Sequence, residues 1–316
     1  MTRNSALGAA RPGVALLAAC LLAAGCGRTE VVNVDGSSTV YLISAAVAEK
    51  MQESGSAINV VVGQSGTGGG MKKFAAGEID VCDASRRIKD EEAAACKKNG
   101  IEFLELQVAF DGLAVVVNPQ NDWCDSLTVE QLKTIWRPEA DGSVMKWSDV
   151  DPAWPDEPFK LYGPGHDSGT YDYFTEEING AEGSCRQDYS PSENDNALVT
   201  GVAGDKGALC YFGYGYYIEN KDQLKLLSID GGDGPVLPSP ETVRDGTYRP
   251  LSRPLYIYVR KSSLEQPAVV AFLEYYLEHV AEVAPVVGYV PVTDEIAKAS
   301  RDALAAALGG VQTAAR

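Results

Sequence analysis

From Val31 onwards, short β-branched runs alternate with segments that carry apolar residues at helical spacing. Val31 to Val34 and Ile58 to Val62 are β-rich runs that end at glycines, and Tyr41 to Glu53 between them has helical spacing. A strand that leads through a glycine turn into a helix and then into another strand is typical of a parallel α/β sheet. The alternation therefore predicts an α/β fold, and the absence of a repeat of about 20 to 50 residues argues against solenoids and propellers.

Two strongly apolar runs predict that the chain crosses twice between two lobes. Leu113 to Val117 precedes an Asn-Pro pair, and Leu255 to Val259 follows an Arg-Pro pair near the far end of the chain. A chain that leaves one α/β lobe, builds a second and returns forms two discontinuous domains around a cleft, where small ligands bind. We predict lobe 1 from residues 31–113 plus 255–316, and lobe 2 from residues 114–254.

The aromatic run between these crossings, Tyr211 to Tyr217, alternates with Gly213 and Gly215. Such a run could form a platform for a sugar ring, but the glycines fit a buried strand beside a tight crossing better. We therefore predict a strand here.

The first 26 residues have the pattern of an export signal. Two arginines precede an uncharged apolar run, Pro12 to Ala24, which is shorter than the 20 or so residues that span a bilayer. The run ends in Ala23-Ala24-Gly25-Cys26, which is similar to the lipobox of bacterial lipoproteins. We predict a signal peptide over residues 1–26 and a protein held outside the cell membrane through lipidated Cys26, with Cys20 as the alternative cysteine.

The charge and the cysteines exclude several classes of protein. A net charge of −17 leaves no basic stripe for nucleic acid. The spacings of the cysteines after Cys26, together with only two histidines, do not make a zinc site, so no metal or cofactor is predicted. Export permits disulfides, but an odd number of thiols leaves at least one free and the pairing open. These cysteines are Cys82, Cys96, Cys124, Cys185 and Cys210.

Three loops share one design, in which a strand runs into glycine and hydroxyl residues that open a helix. A helix N-terminus offers unpaired N–H groups and about half a positive charge, hydroxyls add donors, and glycine lets backbone approach an oxyanion. Each loop alone is also an ordinary N-cap or turn. The loops are Gly36-Ser37-Ser38-Thr39, Ser65-Gly66-Thr67-Gly68-Gly69-Gly70 and Asp167-Ser168-Gly169-Thr170.

Taken in order, these loops and four further stretches resemble the PstS-type phosphate-binding proteins of bacterial phosphate importers. The further stretches are Ile79 to Arg86, Val115 to Pro119, Asn194-Asp195 and Gly288 to Pro291. The resemblance implies the two-lobed, type II-like periplasmic-binding-protein fold, inorganic phosphate as ligand, an ABC permease complex as partner, and a monomer without catalytic activity. It also implies phosphate-binding roles for Ser38, Thr39, Ser65, Thr67, Ser168, Gly169 and Thr170.

The sequence departs from the family pattern at the cation. The family has an arginine four residues before the Ser-Gly-Thr serine, and this chain has Pro164 there. Arg86 directly follows a motif strand and is our choice for the missing cation, ahead of Arg186. Arg87 ranks lower because adjacent residues of an extended segment point apart.

The family also uses an aspartate that accepts the proton of bound phosphate, which sulfate lacks. An ungapped match places Ser85 at that position. The candidates for a substitute acceptor are Asp83, two residues earlier, and Asp111, at the entrance to the crossing strand. Both could equally be solvated turn residues.

Other functions are less consistent with the sequence. Gly63 to Thr67 lacks the last glycine of a G-x-S-x-G nucleophile elbow. His166 adjoins Asp167 and Ser168, but consecutive residues seldom adopt the geometry of a catalytic triad. Sulfate or a phosphonate is the alternative ligand, and a phosphatase or a purely sensory or adhesive lipoprotein is the alternative class.

Overall fold

The computed structural model describes residues 31–166, 168–192 and 194–314. The predicted signal over residues 1–26, with Cys26, lies outside these ranges, and so does Asp167 of the third loop. No helix within the described ranges is long and apolar enough to cross a membrane.

The helices begin where the sequence places capping residues. The side chain of Ser37 accepts a hydrogen bond from Val40 N, and that of Ser168 accepts one from Thr170 N. These caps start helices inside the Gly/Ser/Thr loops, a few residues before the apolar periodicity begins. The helices are α1 (Ser38–Glu53), α2 (Gly66–Ala76), α3 (Asp90–Lys98), α4 (Val129–Trp136), α5 (Gly169–Asn179), α6 (Asp195–Gly204), α7 (Tyr214–Asn220), α8 (Pro240–Arg244), α9 (Pro267–Val286) and α10 (Asp294–Ala314).

The strands of the described residues form one large mixed sheet, in the order β2-β1-β3-β12-β4-β8-β6-β7, and a smaller sheet, β11-β10-β5. Strands β9 and β13 both pair with β4. The strands are β1 (Val31–Gly36), β2 (Asn59–Val62), β3 (Val81–Ala84), β4 (Phe103–Val117), β5 (Ser126–Thr128), β6 (Lys160–Pro164), β7 (Ser190–Ser192), β8 (Ala208–Gly213), β9 (Lys225–Leu226), β10 (Ser228–Asp230), β11 (Pro235–Val236), β12 (Ser252–Arg260) and β13 (Val290–Pro291).

Strand β4 connects the two halves of the large sheet. Its first part pairs antiparallel with β12, and its last part, from Leu113, pairs antiparallel with β8. The apolar run Leu113 to Val117 is thus the end of a strand of 15 residues that begins at Phe103. Only the outer pairs, such as β1 with β2 and β6 with β8, are parallel, so the wholly parallel sheet expected from the first residues is a mixed one.

Buried side chains form separate hydrophobic cores on the two sides of this crossing. Two clusters contain residues of β1 to β3, the start of β4, β12 and α9. A third contains the end of β4, α4 to α6 and β8, together with Val290 and Val292 from near the C-terminus. The crossing of β4 and β12 is therefore where two independently packed bodies meet.

The aromatic run differs from the prediction, because the strand ends at Gly213 and the residues from Tyr214 form α7. The backbone of α7 contacts the chain at Gly288. Gly215 N donates to Gly288 O, and a Cβ at Gly215 would lie 2.3 Å from Gly288 Cα. Glycine permits that approach. All five cysteines predicted to follow the signal are buried free thiols in the described part of the chain.

Candidate functional site

The first two loops and Gly169 of the third surround a cavity of about 230 Å³, here called the cradle. It lies where α1, α2 and α5 begin, so the N-termini of three helices meet there. The cradle is lined by Ser37, Ser38, Thr39, Ser65, Gly66, Thr67, Gly68, Gly69, Lys72, Ser85, Gly169, Asp172, Tyr173, Glu182 and Arg253.

Helices α1 and α5 approach each other closely at one wall of the cradle. A Cβ atom at Gly169 would lie 2.5 Å from Ser38 Oγ and 2.6 Å from Thr39 Oγ1. Such distances do not occur between real atoms, so the approach requires glycine at this position. Because α1 and α5 pack in different cores, this contact joins the two bodies.

Arg253 supplies the guanidinium of the cradle, which Lys72 also lines, and sequence reasoning selected neither residue. Its Nη2 donates to Thr39 Oγ1 at 3.0 Å and to the carbonyl of Gly169 at 3.5 Å. Its guanidinium carbon lies 3.6 Å from the centroid of the Tyr173 ring. The side chain therefore contacts α1 and α5 at once, from a position on β12 next to the crossing.

Asp111 holds Arg253 from behind. The two residues are paired in the register of β4 and β12, and Asp111 Oδ2 lies 3.3 Å from Arg253 Nε and Nη2. The carboxyl is almost fully buried and does not line the cradle. Burial raises the pKa of Asp111, and the charge of Arg253 opposes this rise. The pairing of Arg253 with Asp111 across two strands could have pointed to Arg253. This pairing is visible only once the register of β4 and β12 is known.

Asp83 lies behind the cradle rather than in it. Its carbonyl accepts a hydrogen bond from Ser37 N at 2.9 Å, and its carboxyl accepts one from Ser44 Oγ at 2.9 Å. The other carboxyl oxygen has no partner among the described residues. Burial raises the pKa of Asp83 to about 8. Neither Asp83 nor Asp111 therefore lines the cradle. A carboxylate that accepts a proton from a bound ligand has to lie in the cavity that holds the ligand.

Asp172 is the carboxylate that lines the cradle with Glu182. It lies in the first turn of α5, three residues after Gly169. Burial, and then the charge of Glu182, raise the pKa of Asp172, while Arg253 lowers it. The spacing from the Ser-Gly-Thr loop was visible in the sequence, but an acid in a first helical turn is common and carries little signal on its own.

Arg86 lies in a larger cavity beside the cradle, here called the entrance cavity, and it is already paired with Glu92. Its two terminal nitrogens each lie 2.9 Å from the carboxylate of Glu92. It lines a larger adjoining cavity of about 740 Å³, together with Arg87, and not the cradle itself. Arg87 contacts Tyr256 and Glu105.

Arg186 is distant from the cradle in its contacts. It is buried, pairs with Asp188, and donates to the carbonyls of Ile135 and Val144 in the core that contains α4. It satisfies carbonyl groups of α4 and of the segment that follows it, and it does not line the cradle.

The predicted hydroxyl residues are divided between two cavities. Thr67 Oγ1 lies 3.1 Å from Ser85 Oγ at the cradle, whereas Ser65 Oγ donates to Asp35 at 2.5 Å. Ser168 and Thr170 line a neighbouring cavity of about 350 Å³, which shares Ser38, Thr39 and Gly169 with the cradle. The structure therefore gathers Ser38, Thr39, Ser65, Thr67, Ser85 and Gly169 around the cradle itself.

The cradle is lined by hydrogen-bond donors and charged side chains. No histidine or cysteine is among its lining residues. Within the described residues, no group of three or more His, Cys, Asp and Glu could hold a metal ion. Helix N-termini, hydroxyls and one fixed guanidinium are the groups that bind an oxyanion without altering it.

A two-bodied α/β fold with an oxyanion cradle at the crossing defines the class of extracytoplasmic binding proteins. The chain belongs to the PBP superfamily, whose domain pattern matches residues 23–279.

Relatives narrow the comparison further. Protein SphX of Synechocystis sp. is 46% identical over 84% of this chain and 80% of its own length. Phosphate-binding protein PstS of Staphylococcus aureus is 38% identical over 86% of this chain and 81% of its own. The crystal structure of a possible phosphate binding protein from Planctomyces limnophilus is 46% identical, covers 89% of this chain and 99% of its own, and has a TM-score of 0.83.

Proposed function

We propose that this protein binds inorganic phosphate in the cradle and delivers it to an ABC-type importer. The observation that carries the proposal is the position of Arg253, whose guanidinium lies between the N-termini of α1 and α5. A phosphate ion there replaces its hydration shell with N–H donors, hydroxyls and one permanent positive charge. The similarity to PstS proteins supports the same ligand.

In this proposal Arg253 takes the role for which the sequence favoured Arg86. Arg253 is 14% exposed, and Asp111 fixes it against the crossing strands, whereas Glu92 engages both terminal nitrogens of Arg86. A preorganised guanidinium binds an oxyanion with less ordering cost than one that must first leave a partner. Ser38, Thr39, Thr67, Ser85 and Gly169 complete the contacts.

Asp172 is our candidate for the group that distinguishes phosphate from sulfate. An ionised carboxylate can only accept hydrogen bonds, so it stabilises a protonated oxyanion and repels one without a proton. Phosphate retains a proton near neutral pH and sulfate does not. Asp83 and Asp111, the candidates from the sequence, act indirectly in this account, through α1 and through Arg253.

The remaining features follow from delivery to an importer. Lobe 1 from residues 31–113 plus 255–316 and lobe 2 from residues 114–254 hinge at the crossing of β4 and β12 and close on the ligand. Lipidated Cys26 keeps the monomer at the outer face of the cell membrane, beside its permease. The similarity to binding components rather than to enzymes supports a protein that leaves its ligand unchanged.

Calorimetric titration of residues 27–316 tests the ligand. We expect saturable binding of one phosphate per chain and no measurable heat with an equal concentration of sulfate. Equal binding of both ions would favour the alternative, a general oxyanion-binding protein. Absence of phosphate binding, with the protein folded, would refute the proposed function.

A further inference from the structure

Tyr173 has an unusual position for a core aromatic residue, because it contacts both Arg253 on β12 and Pro250 just before that strand. Its ring lies under the guanidinium, 3.6 Å from ring centroid to Arg253 Cζ. Its hydroxyl donates to the carbonyl of Pro250 at 2.5 Å. The residue is only 3% exposed, yet it lines both the cradle and the entrance cavity.

These contacts fix the plane of the guanidinium. Asp111 holds Nε and Nη2 at one edge, and the ring of Tyr173 covers one face. Nη2 also contacts Thr39 and the start of α5, so this end of the guanidinium lies at the cradle. A guanidinium stacked on an aromatic face is stabilised by the electrons of the ring, more strongly where water is excluded.

Arg253 lies between groups that belong to different bodies. Tyr173, on α5, packs in the core that contains α4 and β8, whereas Thr39 lies in the first turn of α1. Arg253 can therefore contact the ring and Thr39 together only when α1 and α5 are in their present relative position. The orientation of Arg253 and closure are coupled in this geometry.

We infer that Tyr173 is a positioning residue, which orients Arg253 towards the ligand through its ring and thereby links closure to ligand affinity. The inference rests on the proposed function. It assigns the effect to the ring electrons and not to the hydroxyl, whose hydrogen bond among the described residues is to Pro250.

The matched variants are Tyr173→Phe, which keeps the ring, and Tyr173→Met, which keeps a similar volume without a ring. Phosphate titration should show affinity within about threefold of wild type for Tyr173→Phe and a loss of about tenfold, or 1.4 kcal/mol, for Tyr173→Met. In an Arg253→Met background, the change from Tyr173 to Met should have no further effect. An equal loss in both backgrounds would assign Tyr173 a merely structural role and overturn the inference.

A second readout does not depend on packing. Phenylalanines with increasing numbers of fluorine atoms, incorporated at position 173, withdraw electrons from the ring with little change of shape. Phosphate affinity should fall stepwise with fluorination. A flat series, with wild type and Tyr173→Phe binding normally, would refute the inference and leave the proposed function intact, whereas wild type that binds no phosphate would refute both.

Discussion

Replacement of Gly169 by alanine separates fold stability from closure. The added Cβ would lie 2.5 Å from Ser38 Oγ, 2.6 Å from Thr39 Oγ1 and 2.9 Å from Thr39 N, so α1 and α5 could not keep their present approach. Within lobe 2 itself the change is favourable, because Gly169 does not have a left-handed backbone and alanine stabilises helices relative to glycine.

The expected loss of phosphate affinity follows from the overlap of the added Cβ with Ser38 and Thr39. Ordinary contact needs about 3.4 Å or more, so the helices must separate by roughly 1 Å, and overpacking of this kind costs about 1–3 kcal/mol. Because the cost arises only in the closed form, phosphate affinity should fall by between about 5-fold and about 150-fold. The free energy of unfolding should stay the same or rise by up to about 1 kcal/mol.

Calorimetry with phosphate and urea unfolding of the ligand-free protein measure the two effects. Gly204→Ala is the matched control, since a Cβ there meets no atom within 4 Å and the residue also lies in a helix of lobe 2. Unchanged phosphate affinity of Gly169→Ala would show that the contact between α1 and α5 is not part of the bound state, and the account of closure would fail.

Three further changes test other parts of the account. Arg253→Met should weaken phosphate binding at least tenfold. Because it leaves buried Asp111 unpaired, it should also destabilise the fold by about 3–5 kcal/mol. Adding Asp111→Asn should restore stability but not affinity, and wild-type phosphate affinity of the double variant in calorimetry would remove Arg253 from the site. For Asp83, whose pKa is raised to about 8 by burial, the neutral form is favoured in the fold, so wild type should lose stability as pH rises from about 4 to about 8. Urea unfolding across this range should therefore show a growing advantage of Asp83→Asn, which keeps an acceptor for Ser44, and parallel pH profiles would contradict the assignment. Cys26→Ser should release soluble, binding-competent protein on cell fractionation; a variant that stays in the membrane fraction would point to Cys20.

The fold could be predicted from local patterns to a large extent. The helix predicted from Tyr41 to Glu53 is α1, which begins earlier because Ser37 caps it before the apolar periodicity starts. The single long β4 was not predictable, because the polar residues between its apolar runs resemble a turn and pair with β12 only in the tertiary structure. The strand predicted through Tyr217 was wrong after Gly213, where a helix begins whose Gly215 contacts Gly288, a residue remote in the sequence.

For the site, the sequence identified loops but not the charges between them. The Gly/Ser/Thr motifs are local, and their helix caps and close approaches follow from residue type, as at Ser37 and Gly169. Arg253 comes from a strand that is remote in the sequence, and its register with Asp111 is a property of the folded sheet. Arg86 appeared suitable because it follows a motif strand, but Glu92, six residues later, lies within hydrogen-bond distance.

The central claim is that phosphate binds between α1 and α5 against Arg253, and a crystal structure of the protein grown with phosphate tests it most directly. We expect one tetrahedral ion in the cradle, with oxygens within about 3.2 Å of the Arg253 guanidinium and of donors on Thr39 and at the start of α5. The carboxylate of Asp172 should lie beside the protonated oxygen. An ion bound at Arg86 in the entrance cavity, with Arg253 still bonded only to protein, would contradict the account.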